Sequence, residues 1–375
     1  MTRILYFSRD YTTHDHRFLT ALAETGQEVF FLRLEDRGRA LESRPVPAQV
    51  RQVRWSGGRA PFTWAALPRL LADLKRVLRE VQPDLVHAGP LQSAAFLAAL
   101  AGFRPLVSVS WGYDLIFDAR KNALYRALTR FTLRRSAVMV GDSAVVRGLA
   151  RGYGMPDGRI VTFPWGVDLE HFRPAEGSPG PGASEGAPFT LLSTRGWEPI
   201  YGVELIARAF VGAARQKPEL RLVMLGGGSL APRLHEIFER GGVRERVLFP
   251  GQVSQADLPR FYRSADLYLS ASHSDGASIS LLEALACGRP VLVSDIPGNR
   301  EWVAPGVQGW WFPDGDARAL EAGLLQAVEA RAHLPEMGCA ARRLAEERAD
   351  WKKNFLELLR AYALALGQSG ERPLA

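Results

Sequence analysis

Short apolar runs rich in branched and aromatic residues recur along the chain, separated by stretches whose apolar positions follow helical spacing. In the first half the runs are ILYF from Ile4, EVFFLRL from Glu28, DLVHA from Asp84, PLVSVS from Pro105, AVMVGD from Ala137 and RIVTF from Arg159. Each reads as a strand, and intervening segments such as Trp64–Val81 and Leu124–Leu133 read as helices. Strand–helix–strand alternation predicts a parallel sheet covered on both faces. Residues 175–188, AEGSPGPGASEGAP, hold no large apolar side chain and read as a linker or exposed loop. The alternation then restarts with FTLLST, RLVML, RVLFP, DLYLS, PVLVSD and GWWF, and Glu336 to Ala365 reads as two helices. The expected fold class is α/β, with two Rossmann-like doubly wound domains that face each other across a cleft and bind ligands outside the carboxyl ends of their strands. The expected divisions are 1–165, 166–348 and a terminal helix over 349–375 that crosses back to the first domain.

Composition narrows the function classes. With 375 residues, 47% hydrophobic and 23% charged, the chain suits two soluble globular domains. Its longest apolar run, Ala94 to Phe103, is too short to span a bilayer. The start, MTRILYFSRD, reads as a first strand and not as a signal peptide, so a cytoplasmic location is expected. Cys287 and Cys339 offer neither a disulfide framework nor metal-ligand spacing. The net charge of +7 is uneven: residues 1–165 carry 24 Lys and Arg against 14 Asp and Glu, whereas the remainder is mildly acidic. No zinc finger, RNP-like motif or aromatic-basic stripe supports nucleic acid as the partner. An anionic membrane surface is the better candidate, met by the basic first half with Arg126, Arg130 and Arg134 on one helical face. A solvated arginine face is the more ordinary account of the same pattern and is favoured over the membrane contact.

The segment from Asp275, DGASISLLEALACGRPVLVSDIPGNREWV, carries the most chemistry. A turn of small residues leads into a helix over about Ser280–Ala286 that stops at Gly288, and Pro290 precedes a buried strand. The helix start presents unpaired backbone N–H groups to an anion such as a diphosphate, and Gly276, Ala277 and Ser278 allow close approach. Glu283 stands one turn in, where its carboxylate can accept from a ribose diol. The segment resembles the acidic-x7-Glu signature of glycosyltransferase family 4, retaining enzymes of the GT-B fold. The resemblance implies that Glu283 binds ribose and that Asp275, in a place usually held by glutamate, contacts the donor hexose.

Other stretches extend the resemblance over nearly the whole chain. PWGVDLEHFRP from Pro164 resembles the family's crossing between domains, and LLSTRGWEPIYGVELIARAF its basic contacts to the donor phosphates, with Arg195 in the arginine position. The lysine usually found six residues later is here Tyr201, which cannot neutralise charge. LGGGSL from Leu225, with Gly226 and Gly227, resembles the glycine turn after a strand, and FPGQVSQADLPRFYRSADLYLSAS, with Val253, the stretch whose backbone reads the nucleobase. Ile279, Ser280 and Leu281 complete the donor set. Pro297, Gly298, Asn299 and Glu301 continue the match beyond the signature.

The acceptor side departs from the commonest family pattern. Where many relatives have a Gly-Gly loop, this chain has His14, Asp15 and His16 leading into a helix. Asp15 as a helix cap and His14 or His16 as contacts to sugar or acceptor are readings of equal weight. Trp111 occupies the slot of a family histidine, followed by Gly112, Tyr113 and Asp114; tryptophan stacks on sugar faces but is neither acid nor base. His87, ending a strand, reads as structural.

The function implied is metal-independent, retaining transfer of a hexose from a nucleoside-diphosphate sugar to a hydroxyl of a glycan, lipid-linked or small-molecule acceptor. Catalysis falls to Arg195, Asp275 and Glu283, the acceptor contacts to His14, His16, Trp111, Tyr113 and Asp114, and no cofactor is expected beyond a UDP- or GDP-sugar substrate. The alternatives are a nucleotide-sugar epimerase or hydrolase on the same fold, and a non-catalytic nucleotide-sugar-binding protein.

Overall fold

The structure, a computed structural model, describes residues 1–36, 38, 41–175, 180–182 and 187–368. Much of the expected linker at 175–188 lies outside the described residues. The chain divides into two compact units, Met1–Phe163 with Phe355–Ala375, and Pro164–Asn354.

The first unit is built on a seven-stranded parallel sheet: β1 (Arg3–Ser8), β2 (Glu28–Arg33), β3 (Arg51–Gln52), β4 (Leu85–Gly89), β5 (Leu106–Val109), β6 (Val138–Gly141) and β7 (Ile160–Thr162). The order is β3-β2-β1-β4-β5-β6-β7, so the winding reverses between β1 and β4. Ile4–Phe7, Leu85, Val86, Leu106 and Val107 are wholly buried, as continuous apolar runs in a two-sided sheet require. The two polar residues of β3 are exposed at the sheet edge and escape the apolar pattern.

The helix Thr13–Ala23 follows β1 and opens with a capping box: the Thr12 hydroxyl accepts from the Asp15 N–H, and Asp15 Oδ2 accepts from the Thr12 N–H at 2.9 Å. Asp15 Oδ1 also accepts from the buried Tyr6 hydroxyl at 3.0 Å, tying the helix start to β1. His87, on β4, is buried, stacks on Tyr6 at 4.2 Å and lies 2.7 Å through Nδ1 from the hydroxyl of Tyr362. Tyr362 belongs to the helix Trp351–Ala365, so this bond fastens that helix to the first sheet.

Burial pulls the His87 imidazole down to about 3. An unfolded histidine titrates near 6.5, so as pH falls through that value the unfolded chain binds a proton that the folded chain refuses, and stability is lost. Asp114, which burial raises to about 6, works in the opposite sense over the same range. The difference between two proteins isolates the histidine. In urea titrations between pH 7 and pH 5, His87→Gln should lose less stability than the native chain. Equal losses would remove His87 from the acid response.

The second unit carries a six-stranded parallel sheet: β8 (Phe189–Ser193), β9 (Leu220–Leu225), β10 (Val247–Gly251), β11 (Leu267–Ser270), β12 (Val291–Ser294) and β13 (Gly309–Phe312), in the order β10-β9-β8-β11-β12-β13. Its winding reverses between β8 and β11, and in doubly wound sheets the loops at such a reversal form the ligand site. The expected doubly wound α/β class therefore holds for both units. No helix among the described residues is long and apolar enough to cross a membrane.

Candidate active site

The loops after β8 and β11 gather the second unit's polar residues. The helix expected from Ser280 begins at Ile279 and runs to Ala286, and every residue from Leu281 to Ala286 is buried. Glu283 is only 4% exposed in this otherwise apolar helix. A buried carboxylate must be paired or it is costly, and a polar exception in an apolar helix marks a candidate functional group. Its partner is Tyr262, whose hydroxyl donates to Glu283 Oε2 at 2.7 Å; Gln255 Nε2 lies 3.4 Å from Oε1. The same hydroxyl lies 3.1 Å from both Thr194 Oγ1 and the Ser280 carbonyl. Burial, followed by the Glu283 charge, raises the Tyr262 phenol well above its ordinary value, so it stays a donor.

Arg195 lies in the loop after β8, its side chain 14% exposed. Nη1 donates to the hydroxyls of Ser278 and Ser280, both at 3.1 Å, and Nη2 stands 2.7 Å from Asp275 Oδ2. The latter is a close approach of charges, because neither Asp275 Oδ2 nor Arg195 Nε makes an aligned hydrogen bond among the described residues. Burial works against the Arg195 charge, but the Asp275 carboxylate and surrounding tyrosine hydroxyls more than offset it and raise the guanidinium pKa.

Tyr201, in the lysine position, lies with its ring 4.1 Å beneath the Arg195 guanidinium. The ring thus makes a cation–π contact that orients the arginine. Its turn is fixed by Gly202, at φ +58, where a Cβ would collide with the Ala271 carbonyl.

The remaining donor-side expectations fall around this cluster. Gly276, Ala277 and Ser278 are buried in the turn before the helix. The first intrahelical bond runs from the Leu282 N–H to the Ser278 carbonyl, which leaves the N–H groups of Ile279, Ser280 and Leu281 ahead of it. Gly226 and Gly227 form a turn against the Arg195 loop: the Trp197 N–H donates to the Gly227 carbonyl at 3.0 Å, and a Cβ on Gly226 would lie 3.4 Å from the Arg195 carbonyl. Val253 packs against the core that holds Tyr262 and Leu281. Gly298 backs the turn, since a Cβ there would stand 2.5 Å from the Asp275 carbonyl oxygen. Asn299 anchors that backing through Nδ2 to the Ser294 carbonyl at 2.8 Å.

In the first unit, His14 and Trp111 stack at 5.5 Å with their planes 25° apart, and Phe18 meets the indole edge-on. Burial, with help from Arg17, lowers the His14 imidazole to about 4, so it is neutral at pH 7. His16 Nδ1 lies 2.7 Å from the Tyr11 hydroxyl, and Tyr113 is 42% exposed. Asp114 requires a correction. It is 0% exposed, and its oxygens accept from the Leu91 N–H at 3.0 Å, the Leu115 N–H at 3.0 Å and the Ser110 hydroxyl at 2.5 Å. That carboxylate holds the loops after β4 and β5 together and has no face left for an acceptor.

Tyr262, Gln255 and Thr194 escape sequence reading. All lie in or beside stretches that carry the resemblance, but only the folded chain brings them to Glu283 and Ser280. Among the described residues no group of three or more His, Cys, Asp and Glu is placed to hold a metal.

Comparison with known proteins follows the same division. Residues 12–171 match the model described as Glycosyltransferase Family 4, and residues 182–344 match that of Glycosyl transferases group 1. A D-inositol 3-phosphate glycosyltransferase from Geodermatophilus obscurus is 30% identical over 329 residues, covering 79% of this chain and 71% of that one. D-inositol 3-phosphate glycosyltransferase 2 from Catenulispora acidiphila is 32% identical over 194 residues, 48% of this chain and 45% of the relative. The chain thus spans about half the length of the first curated relatives it matches. Among solved structures, Anabaena Alr3699/HepE in complex with UDP-glucose superposes with a TM-score of 0.78 at 18% identity, covering 97% of this chain and 100% of that one. That likeness extends to the fold alone.

Proposed function

We propose a reaction from one premise: the chain belongs to glycosyltransferase family 4. It moves a hexose from a nucleoside-diphosphate sugar to a hydroxyl of a glycan, lipid-linked or small-molecule acceptor, with retention at the anomeric carbon. The observation that carries this reading is the joining of two unlike groups through Ser280. Its hydroxyl accepts from Arg195, and its carbonyl lies 3.1 Å from the Tyr262 hydroxyl that donates to buried Glu283. A cation, a helix start and a buried acceptor in sequence suit a diphosphate followed by a ribose diol.

In the proposed step the bond from the anomeric carbon to the distal phosphate oxygen breaks, and the electron pair leaves with the nucleoside diphosphate. Arg195, the N–H groups of Ile279 to Leu281 and the Gly226–Gly227 turn stabilise the charge that develops there. The acceptor oxygen bonds to the same face, and its proton passes to the departing phosphate oxygen. Asp275 reaches the hexose hydroxyls once the phosphates engage Arg195. Charge stabilisation comes from protein groups, so activity should persist in EDTA. On the acceptor unit, the Trp111 indole with neutral His14 stacked on it offers a surface for a sugar ring, with exposed Tyr113 and with His16 as the further proposed contacts. Proton NMR of the purified product checks the stereochemistry: the anomeric configuration of the donor should be kept, and an inverted linkage would refute the proposed step.

The first unit also supports contact with an anionic membrane surface. Arg126, Arg130 and Arg134 are exposed on the helix Ala123–Arg135 and have no ion-pair partner among the described residues, while Leu124 beside them is 55% exposed. Changing the three arginines to glutamine should release the protein from vesicles that contain anionic lipid at low salt. A native chain that ignores such vesicles would end this reading.

A further inference from the structure

A pocket of about 450 Å³ in the first unit is left unexplained by the groups above. It opens at the carboxyl ends of β2 and β3, where Arg33 ends one strand and Val53 directly follows the other. Tyr11, from the loop after β1, forms one wall. The Tyr11 hydroxyl also binds His16 Nδ1, so this wall and the expected acceptor contacts share one helix start.

Four arginines line the pocket, Arg33, Arg44, Arg54 and Arg59. Two are already engaged. Arg33 Nη2 stands 2.6 Å from Asp10 and 3.3 Å from Asp36. Arg44 holds Glu42 in a fork, Nε to Oε1 at 3.0 Å and Nη2 to Oε2 at 2.7 Å, which cancels the one carboxylate of the lining. Arg54 and Arg59 are exposed and have no carboxylate partner among the described residues. The pocket therefore presents two uncompensated positive charges beside an aromatic wall.

The turn that bears these two arginines is anchored. The Trp55 indole N–H donates to the Arg33 carbonyl at 2.7 Å, and the Ser56 N–H donates to Asp73 Oδ2 at 2.6 Å. Gly58, at φ +74, lies so near β2 that a Cβ would stand 2.8 Å from the Arg33 carbonyl oxygen. Guanidinium forks held on a fixed turn suit the oxygens of a phosphate group.

We propose that this pocket seats a phosphate group of the acceptor, apart from the hydroxyl that receives the hexose. The assignment rests on the transferase reading for the word acceptor, and on the pocket itself for the phosphate. That phosphate belongs to a soluble phosphoester or to a lipid headgroup, and the test separates the two.

Calorimetry on the full chain with inorganic phosphate and with glycerol 3-phosphate is compared between the native protein and Arg54→Gln/Arg59→Gln. Both positions are exposed, so the double variant keeps the fold, which circular dichroism checks. Loss of a charge-assisted contact predicts phosphate binding weaker by about tenfold or more. Arg130→Gln/Arg134→Gln should bind phosphate as the native chain does. Loss of glycerol 3-phosphate binding in the Arg54/Arg59 variant supports a soluble phosphoester. Loss confined to vesicles of phosphatidylcholine with phosphatidylglycerol supports a headgroup. Unchanged binding of all these probes overturns the proposal. Nucleotide-sugar binding, measured on the same double variant, should be unaltered. A native chain that binds no nucleotide sugar would fail the transferase reading while leaving the phosphate result to stand or fall separately.

Discussion

Replacing Arg195 with glutamine should lower kcat about a hundred- to a thousandfold, the usual consequence of removing one preorganised donor from developing charge. The guanidinium is the cation at the centre of the cluster proposed to hold the donor, 2.7 Å from Asp275 and 3.1 Å from the hydroxyls of Ser278 and Ser280. With Tyr201 in the lysine position, no lysine ammonium shares its task there. Glutamine is shorter, offers two N–H donors in place of five, and supplies none of the charge. Arg195→Lys separates the two effects: it keeps the charge but loses the fork, and it sits less well on the Tyr201 ring. An intermediate kcat is expected for it. Steady-state kinetics with saturating acceptor is the check, and a glutamine variant within a fewfold of native turnover would take Arg195 out of the reaction.

Glu283→Gln should act on binding more than on turnover. A charged acceptor for a ribose diol contributes roughly 1.5–3 kcal/mol, so donor affinity should fall about ten- to hundredfold. Glutamine keeps the shape and still accepts from the Tyr262 hydroxyl, now 2.7 Å from Oε2. The variant should therefore be at least as stable to urea as the native chain, because a buried charge is replaced by a neutral group. Stability retained with affinity lost marks a binding carboxylate. Stability and affinity falling together would mark a structural one.

Much of the fold is legible because its strands are buried on both faces and stand out as continuous apolar runs. The exception, β3, is two exposed polar residues, and nothing in its composition announces it. The site is legible in a different way. Glu283 in an apolar helix is a visible anomaly, but without the family resemblance it reads as a solvated glutamate on an ordinary helix. Its partner Tyr262 comes from another helix, and no spacing rule joins them. Tyr201 looks like the loss of a charge until the structure shows its ring under Arg195. Asp114 shows the opposite failure: beside Trp111 it reads as an acceptor contact, yet its oxygens are taken up by backbone and hydroxyl donors inside the unit. Side-chain type is written in the sequence, but burial and partner are set by tertiary packing.

The central claim is that the Arg195–Ser280–Glu283 constellation holds a nucleoside-diphosphate sugar. Thermal unfolding of the native chain and of Glu283→Gln against a panel of UDP- and GDP-sugars tests it most directly. A ligand present at about a hundred times its Kd adds roughly 2.7 kcal/mol to the folded state, enough to raise Tm by a few degrees. One donor family should give that rise in the native chain, and the rise should shrink in the variant at the same concentration. A panel in which no nucleotide sugar raises Tm, or one in which the variant responds as fully as the native chain, would contradict the account.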